Sequence, residues 1–209
     1  GNQHVNDVRS LVGGEIFNDA VYGAKVSMAS EENKEKEATA LMQQVFQYAE
    51  DRGTNVIFAL DFDTWMANPQ NIIEKLPEEA VFELIDGYLT PNPNHSEGYK
   101  YYKQVLKSLL DMYPQIDQLS VWHRRPGTSG SLGSIWMSFP YSKFPDNWKE
   151  EYKEKLKKHP EIEDNLMASG TFAYGKLIAA IQKARDEIKP DLIISSGSWR
   201  FNYIPYADA

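Results

Sequence analysis

Three short apolar segments constrain the fold of this chain most strongly. They cover residues 56–62, 119–122 and 192–196, and a stretch with helical periodicity separates each from the next. Strands that are joined through helices cannot form hairpins, so the three are expected to lie parallel with right-handed crossovers. A parallel sheet that is buried on both faces also explains why the segments are almost entirely apolar. The sequence therefore predicts an α/β fold in which parallel strands alternate with helices.

The helical segments carry apolar residues at every third or fourth position. The first covers residues 31–52, follows Ser30 as N-cap and ends before Gly53. The second covers residues 96–112 and is stopped by Pro114, and the third covers residues 171–188 and ends before Pro190. Three helix, turn and strand units result, which favours a (β/α)-barrel or a part of one.

The number of confident strands is small for the length of the chain. With 209 residues and no visible linker, residues 1–209 are predicted to form a single α/β domain. Three strands leave two alternatives open: the domain belongs to a larger barrel, or a second copy completes the sheet in a homo-oligomer. Residues 1–30 have no readable pattern, and their structure is left unassigned.

Composition excludes several classes of protein. A net charge of −8 disfavours a nucleic-acid partner, because such partners are held largely by clustered lysine and arginine. The absence of cysteine excludes disulfides, thiol nucleophiles and thiolate metal sites. No apolar run approaches the roughly 20 residues of a membrane-spanning helix. The lysines of residues 149–158 alternate with glutamates, a pattern typical of a solvated helix face.

The connections from strand to helix are long, about residues 63–95 and 123–170, whereas those from helix to strand are short. Both long connections follow the carboxyl ends of strands, where parallel α/β folds place their sites. Their aromatic content predicts packed segments rather than floppy ones. These aromatic residues are Trp65, Trp136, Phe139, Tyr141, Phe144 and Trp148. The Gly- and Ser-rich residues 127–134 are the exception and are predicted to form a mobile flap.

Two carboxylates follow the first strand, at Asp61 and Asp63. Side chains two apart in a strand share a face, so both can point into one site. Adjacent carboxylates raise each other's pKa, which suits one to hold a proton while the other stays ionised. The alternative is that Asp61 binds backbone amides and Asp63 caps the next turn.

The second strand leads from Trp122 into His123, Arg124 and Arg125. The imidazole of His123 is a candidate acid or base near neutral pH, and the arginines suit anions or polar hydroxyls. Alternatively, at least one arginine pairs with Asp61 or Asp63 across neighbouring strands.

The third strand leads through Ser196 into Trp199 and Arg200. A serine nucleophile is not expected, because the chain lacks the G-x-S-x-G elbow. A metal site would need Asp61, Asp63 and His123 to converge, and the prediction is that the protein uses no metal and no cofactor.

Three tryptophans, Trp65, Trp122 and Trp199, follow or end the three strands. Indole faces stack on the apolar faces of sugar rings, while neighbouring polar groups bind the hydroxyls. An oligosaccharide or polysaccharide is therefore the predicted partner, although any one tryptophan is more often partly buried in the core than a binding platform.

Three motifs within about residues 31–126 resemble bacterial glycoside-hydrolase-like (β/α)-barrel proteins. They are residues 55–64, the Asn92-Pro93-Asn94 loop before a tyrosine-rich helix, and residues 113–122, which end in Trp122. The resemblance implies a TIM-type barrel, a secreted or periplasmic hydrolase of polysaccharides, Asp63 as acid or base, and Asn92 in the substrate site. In one departure, a Glu or Asp is usual near such a tryptophan, where this chain has His123.

The second catalytic carboxylate is therefore unlocated. Either Asp61 and Asp63 are the two catalytic carboxylates, or the second one lies elsewhere in a longer chain. A non-catalytic glycan-binding relative is the main alternative. A phosphatase resembling the haloacid-dehalogenase group is a lesser one, since Asp61 and Asp63 mimic its Asp-x-Asp pair. In that group a glycine usually follows, where this chain has Thr64.

Overall fold

A computed structural model describes residues 30–60, 69–84, 87–123, 136 and 139–198, with Glu31, Lys34, His123 and Ser198 described by their backbone alone. These residues fall into two compact units. One holds residues 30–56 and 109–116, and the other holds the rest. In chain order the elements are α1 Glu31–Glu50, β1 Val56–Leu60, α2 Gln70–Ile73, β2 Val81–Glu83, β3 Leu89–Pro91, α3 Ser96–Met112, β4 Ile116–His123, α4 Asp146–Lys158, α5 Leu166–Ile188 and β5 Ile193–Ser198. The unassigned residues 1–29 and the predicted flap at 127–134 lie outside the described residues.

Helix α1 forms much of the smaller unit and confirms the first predicted helix. Gly53 follows it with φ of 64°, a left-handed conformation that glycine adopts at no steric cost. Phe46 is buried and meets the ring of Tyr113 edge-on, with 5.3 Å between centroids. The side chain of Gln43 donates to the carbonyl of Met112 at 3.0 Å, which satisfies a carbonyl at the end of α3.

Strands β1, β4 and β5 form a parallel sheet in the order β1-β4-β5. The register of β4 and β5 runs from Gln118 opposite Ile193 to His123 opposite Ser198. Helix α3 lies between β1 and β4 in the chain, and α4 and α5 lie between β4 and β5. The α/β class with parallel strands is therefore confirmed. The described strands do not close into a barrel.

The expectation that the sheet is buried on both faces is wrong. Leu119 and Val121 of β4 have no exposed surface, whereas Gln118 and Ser120, which alternate with them along the strand, are polar and half-buried. Ile193, which pairs with Gln118, is 55% exposed, and Ile57 of β1 is 60% exposed. Successive side chains of a strand point to opposite faces, so β4 has one apolar and one polar face.

The long connections contain secondary structure of their own. Strands β2 and β3 pair antiparallel, with Val81 opposite Pro91 and Glu83 opposite Leu89. The side chain of Gln70 on α2 donates to the carbonyl of Leu89 at 2.8 Å and accepts from its amide at 2.9 Å. Helix α2 is thereby fixed to the edge of this two-stranded sheet.

The aromatic residues of the second connection are packed, as predicted. Trp136, Phe139 and Trp148 have no exposed surface, and Phe144 is 3% exposed. Their rings contact one another and Phe82, Tyr152 and Phe172 at centroid distances between 5.0 and 6.2 Å. These tryptophans belong to the core of the larger unit. Trp65, on the first connection, lies outside the described residues.

Helix α5 begins earlier than the sequence predicts, because Asn165 caps it. The side-chain oxygen of Asn165 accepts from the amides of Met167 and Ala168, each at 3.0 Å. A stripe of buried residues then packs α5 into the core; it contains Phe172, Ala173, Leu177, Ala180, Ile181 and Ala184.

Polar contacts tie α5 to its neighbours in the larger unit. Glu187 accepts from the hydroxyl of Tyr99 at 2.7 Å and pairs with Lys103, both on α3. Lys176 of α5 pairs with Glu151 of α4. Over the part of the chain that the structure describes, no helix has the length and apolar character needed to cross a bilayer.

Candidate functional site

The carboxyl ends of β1, β4 and β5 lie at one edge of the sheet, with β4 in the centre, because the three strands are parallel neighbours. The strands end at Leu60, His123 and Ser198. Most of the predicted site residues follow these three positions in the sequence. Their side chains lie outside the described residues; they are Asp61, Asp63, Trp65, His123, Arg124, Arg125, Trp199 and Arg200. The described part of this edge consists of the last residues of β1, β4 and β5.

Trp122 is half-buried near the end of β4 and lies across the neighbouring strand. It pairs with Gly197 of β5. A Cβ atom placed on Gly197 would lie 2.3 Å from Cε3 and 2.4 Å from Cζ3 of the indole. The six-membered ring of the indole therefore occupies the space in which a side chain of residue 197 would stand.

Uncharged polar side chains continue along the same face of the sheet. Ser120 precedes Trp122 by two residues, and its hydroxyl lies 3.4 Å from the Cβ position on Gly197. The amide of Gln118 donates to the hydroxyl of Ser195 at 2.8 Å. An aromatic ring beside hydroxyl and amide groups is an arrangement that can bind a sugar through both its apolar and its polar surface.

Ser196, a predicted substrate-binding residue, points to the opposite face from Trp122. It pairs with Val121, whereas Trp122 pairs with Gly197, and alternate residues of a strand share a face. The hydroxyl of Tyr174 on α5 donates to the carbonyl of Val121 at 2.9 Å and lies 3.3 Å from the hydroxyl of Ser196. The structure therefore brings Ser196 to α5 and away from the indole.

Asn92 lies in the connection between β3 and α3 and organises a turn there. Its side-chain oxygen accepts from the amide of Asn94 at 3.0 Å, and its backbone amide donates to the carbonyl of Ala80 at 2.8 Å. Gly98, in the first turn of α3, packs directly on the backbone of Asn92. These contacts give Asn92 a structural role at the start of α3, beside the substrate-binding role that the sequence predicts.

The features of four residues could not be found by sequence reasoning alone. Gly197 and Ser120 belong to the site only through the register of β5 on β4. The hydroxyls of Tyr101 and Thr90 are buried and have no hydrogen-bond partner within the described ranges. Burial, and then the neighbouring Tyr88, raises the pKa of Tyr101 to about 12, so this hydroxyl stays neutral.

Within the described residues, no group of three or more His, Asp or Glu side chains could hold a metal ion. The predicted set of Asp61, Asp63 and His123 lies outside the described side chains. Neither a protein-family model nor a curated protein matches the sequence.

Proposed function

We propose that this chain is a carbohydrate-active protein, a glycoside hydrolase, whose site lies at the carboxyl edge of the β1-β4-β5 sheet. The observation that carries the proposal is the parallel order of the three strands. This order places three strand ends next to one another. In the sequence, carboxylates, an imidazole and tryptophans lie at or directly after these ends. Parallel α/β folds bind their substrates at this edge.

The architecture that we propose is a (β/α)-barrel or a part of one. The three parallel strands are neighbours in the order in which they occur along the chain, as barrel strands are, with the β2-β3 sheet inserted between β1 and β4. Tyr174 of α5 reaches the face of the sheet on which Val121 is buried. The other face contains Gln118 and Ser120 and includes the exposed Ile193. In a barrel, this second face would be turned inward and covered by further strands.

In the proposed reaction, Asp63 is the acid or base and Asp61 supplies the second carboxylate. His123 takes part as a further proton donor or acceptor, and Trp122 provides a face for stacking on the sugar. Trp65, Trp199 and the arginines at 124, 125 and 200 complete the substrate contacts. A polysaccharide substrate implies a secreted or periplasmic protein.

The test is hydrolysis of a panel of oligosaccharides, such as cellopentaose, xylopentaose and maltopentaose. Hydrolysis is measured as the release of new reducing ends. Asp63→Asn should abolish release, because an amide cannot act as acid or base. Asp117→Asn is the matched control, since Asp117 is an exposed carboxylate near the opposite, amino end of β4. Equal release by the wild type and Asp63→Asn would contradict the catalytic assignment.

A non-catalytic glycan-binding protein is the second candidate. It is favoured by the described face around Trp122, where Gln118, Ser120 and Ser195 are polar but do not titrate near neutral pH. Binding of an oligosaccharide by the wild type, with no release of reducing ends at high protein concentration, would select this candidate over the hydrolase.

A further inference from the structure

Gly197 is a glycine for a reason of space and not of backbone conformation. Among the described glycines, positive φ angles occur at Gly53 and Gly87, so Gly197 has a backbone that other residues can adopt. Its distinguishing feature is the indole of Trp122, whose ring atoms lie 2.3 and 2.4 Å from the position of a Cβ atom. The missing side chain is therefore what admits the indole.

The contact fixes where the indole can lie. Ordinary van der Waals contact begins at 3.4 Å. Since Cε3 lies 2.3 Å from the Cβ position, an alanine at position 197 would have to push the indole ring away by about 1.1 Å. Trp122 is the last described side chain on the central strand of the sheet, and Ser120 lies beside it on the same face. Displacement of the ring would also change its distance from the hydroxyl of Ser120.

We propose that Gly197 is a positioning residue, which holds the indole of Trp122 as a platform for a sugar ring at the carboxyl edge of the sheet. This inference rests on the proposed carbohydrate-binding function. The sugar stacks on the part of the indole that faces away from β5, and Ser120 contributes a hydroxyl beside it. Gly197 acts through Trp122 and does not itself bind the sugar.

The experiment compares Gly197→Ala with Gly175→Ala in the full chain. Gly175 is a control for the same substitution, because a Cβ atom there meets nothing within 4 Å. Affinity for cellopentaose, xylopentaose and maltopentaose is measured by isothermal titration calorimetry, and the environment of the indole by near-ultraviolet circular dichroism. Both substitutions are also made in a Trp122→Phe background, where the smaller ring relieves the contact.

We expect Gly197→Ala to weaken binding about tenfold and Gly175→Ala to leave it unchanged. In the Trp122→Phe background the effect of Gly197→Ala on affinity should shrink, which a role of Gly197 independent of the indole would not produce. Near-ultraviolet spectra should change with Gly197→Ala only when Trp122 is present.

Other outcomes separate this inference from the proposed function. If the wild type binds a sugar and Gly197→Ala binds it equally well, the inference fails and the function stands. If the wild type binds none of the three sugars, the function fails; an unchanged spectrum of Gly197→Ala would then overturn the positioning role as well. If Gly197→Ala does not fold, recovery of the fold in the double variant with Trp122→Phe supports the role, and no recovery overturns it.

Discussion

Replacement of Gly98 by alanine should destabilise the protein strongly, although alanine is the better helix former. Gly98 is buried in the first turn of α3, and a Cβ atom there would lie 2.0 Å from the carbonyl oxygen of Asn92. The carbonyl carbon and the amide nitrogen of Asn92 would lie at 2.7 and 2.9 Å. All three atoms belong to the backbone, so no rotation of a side chain can relieve the clash.

The magnitude follows from the separation that the substitution requires. To reach the 3.4 Å of an ordinary contact, α3 and the turn at Asn92 must separate by about 1.4 Å. The backbone amide of Asn92 is bonded to Ala80 and its side chain to Asn94, so the turn cannot move without loss of these hydrogen bonds. Overpacking costs typically 1 to 3 kcal/mol, and lost hydrogen bonds about 1 kcal/mol each. Against a helix-propensity gain of about 0.5 to 1 kcal/mol, we expect a net loss of roughly 2 kcal/mol or more.

Urea unfolding followed by far-ultraviolet circular dichroism measures this loss. Gly175→Ala is the matched control, because it places the same methyl group on α5 in open space and should gain about 0.5 to 1 kcal/mol. The two variants should therefore differ by roughly 3 kcal/mol. Equal unfolding free energies for Gly98→Ala and Gly175→Ala would refute the packing of α3 on the turn.

Four further predictions concern hydrogen-bonding groups of the described residues. Tyr174→Phe removes the bond to a buried strand carbonyl and should cost about 1 kcal/mol in urea unfolding. Tyr101→Phe removes a buried hydroxyl without a partner in the described ranges and should cost nothing. Asn165→Ala should cost about 1 kcal/mol, and Ser30→Ala less, because the Ser30 hydroxyl caps no backbone amide. A hydrogen bond from Lys103 lowers the pKa of the Glu187 carboxyl from 4.5. The stability difference between the wild type and Glu187→Gln should therefore be present above pH 4.5 and disappear as the pH falls through the lower, folded-state pKa. A difference in stability that does not depend on pH would contradict this.

Elements with strong local signals were predictable from the sequence. The apolar stripe of α3 and Pro114 after it predict residues 96–112, which are the bounds observed. The start of α5 was missed because Ser169, Gly170 and Thr171 are poor helix formers and interrupt the apolar pattern between the first turn, Leu166 to Ala168, and Phe172. The cap that starts the helix, Asn165, lies before this interruption.

Short and half-polar strands were less predictable. Strand β4 starts at Ile116, three residues before the predicted start at residue 119. The early start was missed because the polar residues Asp117 and Gln118 interrupt the apolar run after Ile116. Strands β2 and β3 have three residues each, too few for a periodic pattern. They form through pairing with each other and through the bonds of Gln70 to Leu89, which is 19 residues away in the sequence.

The candidate site was predictable in position but not in composition. The carboxyl ends of three parallel strands follow from the alternation of strands and helices. The contact between Trp122 and Gly197 depends on the register of two strands, which the residues of either strand alone do not specify. The same register moves Ser196 to the other face, a result that a list of polar residues near a strand end cannot give.

The central claim, a sugar site at the carboxyl edge of the sheet, is tested most directly by calorimetric titration of oligosaccharides into two edge variants. Trp122→Ala removes the indole at the carboxyl end of β4, and Ile193→Ala removes an exposed side chain at the amino end of β5. We predict that Trp122→Ala weakens binding by about tenfold or more and that Ile193→Ala leaves it unchanged. Unchanged binding by Trp122→Ala, or a loss confined to Ile193→Ala, would contradict a site at this edge.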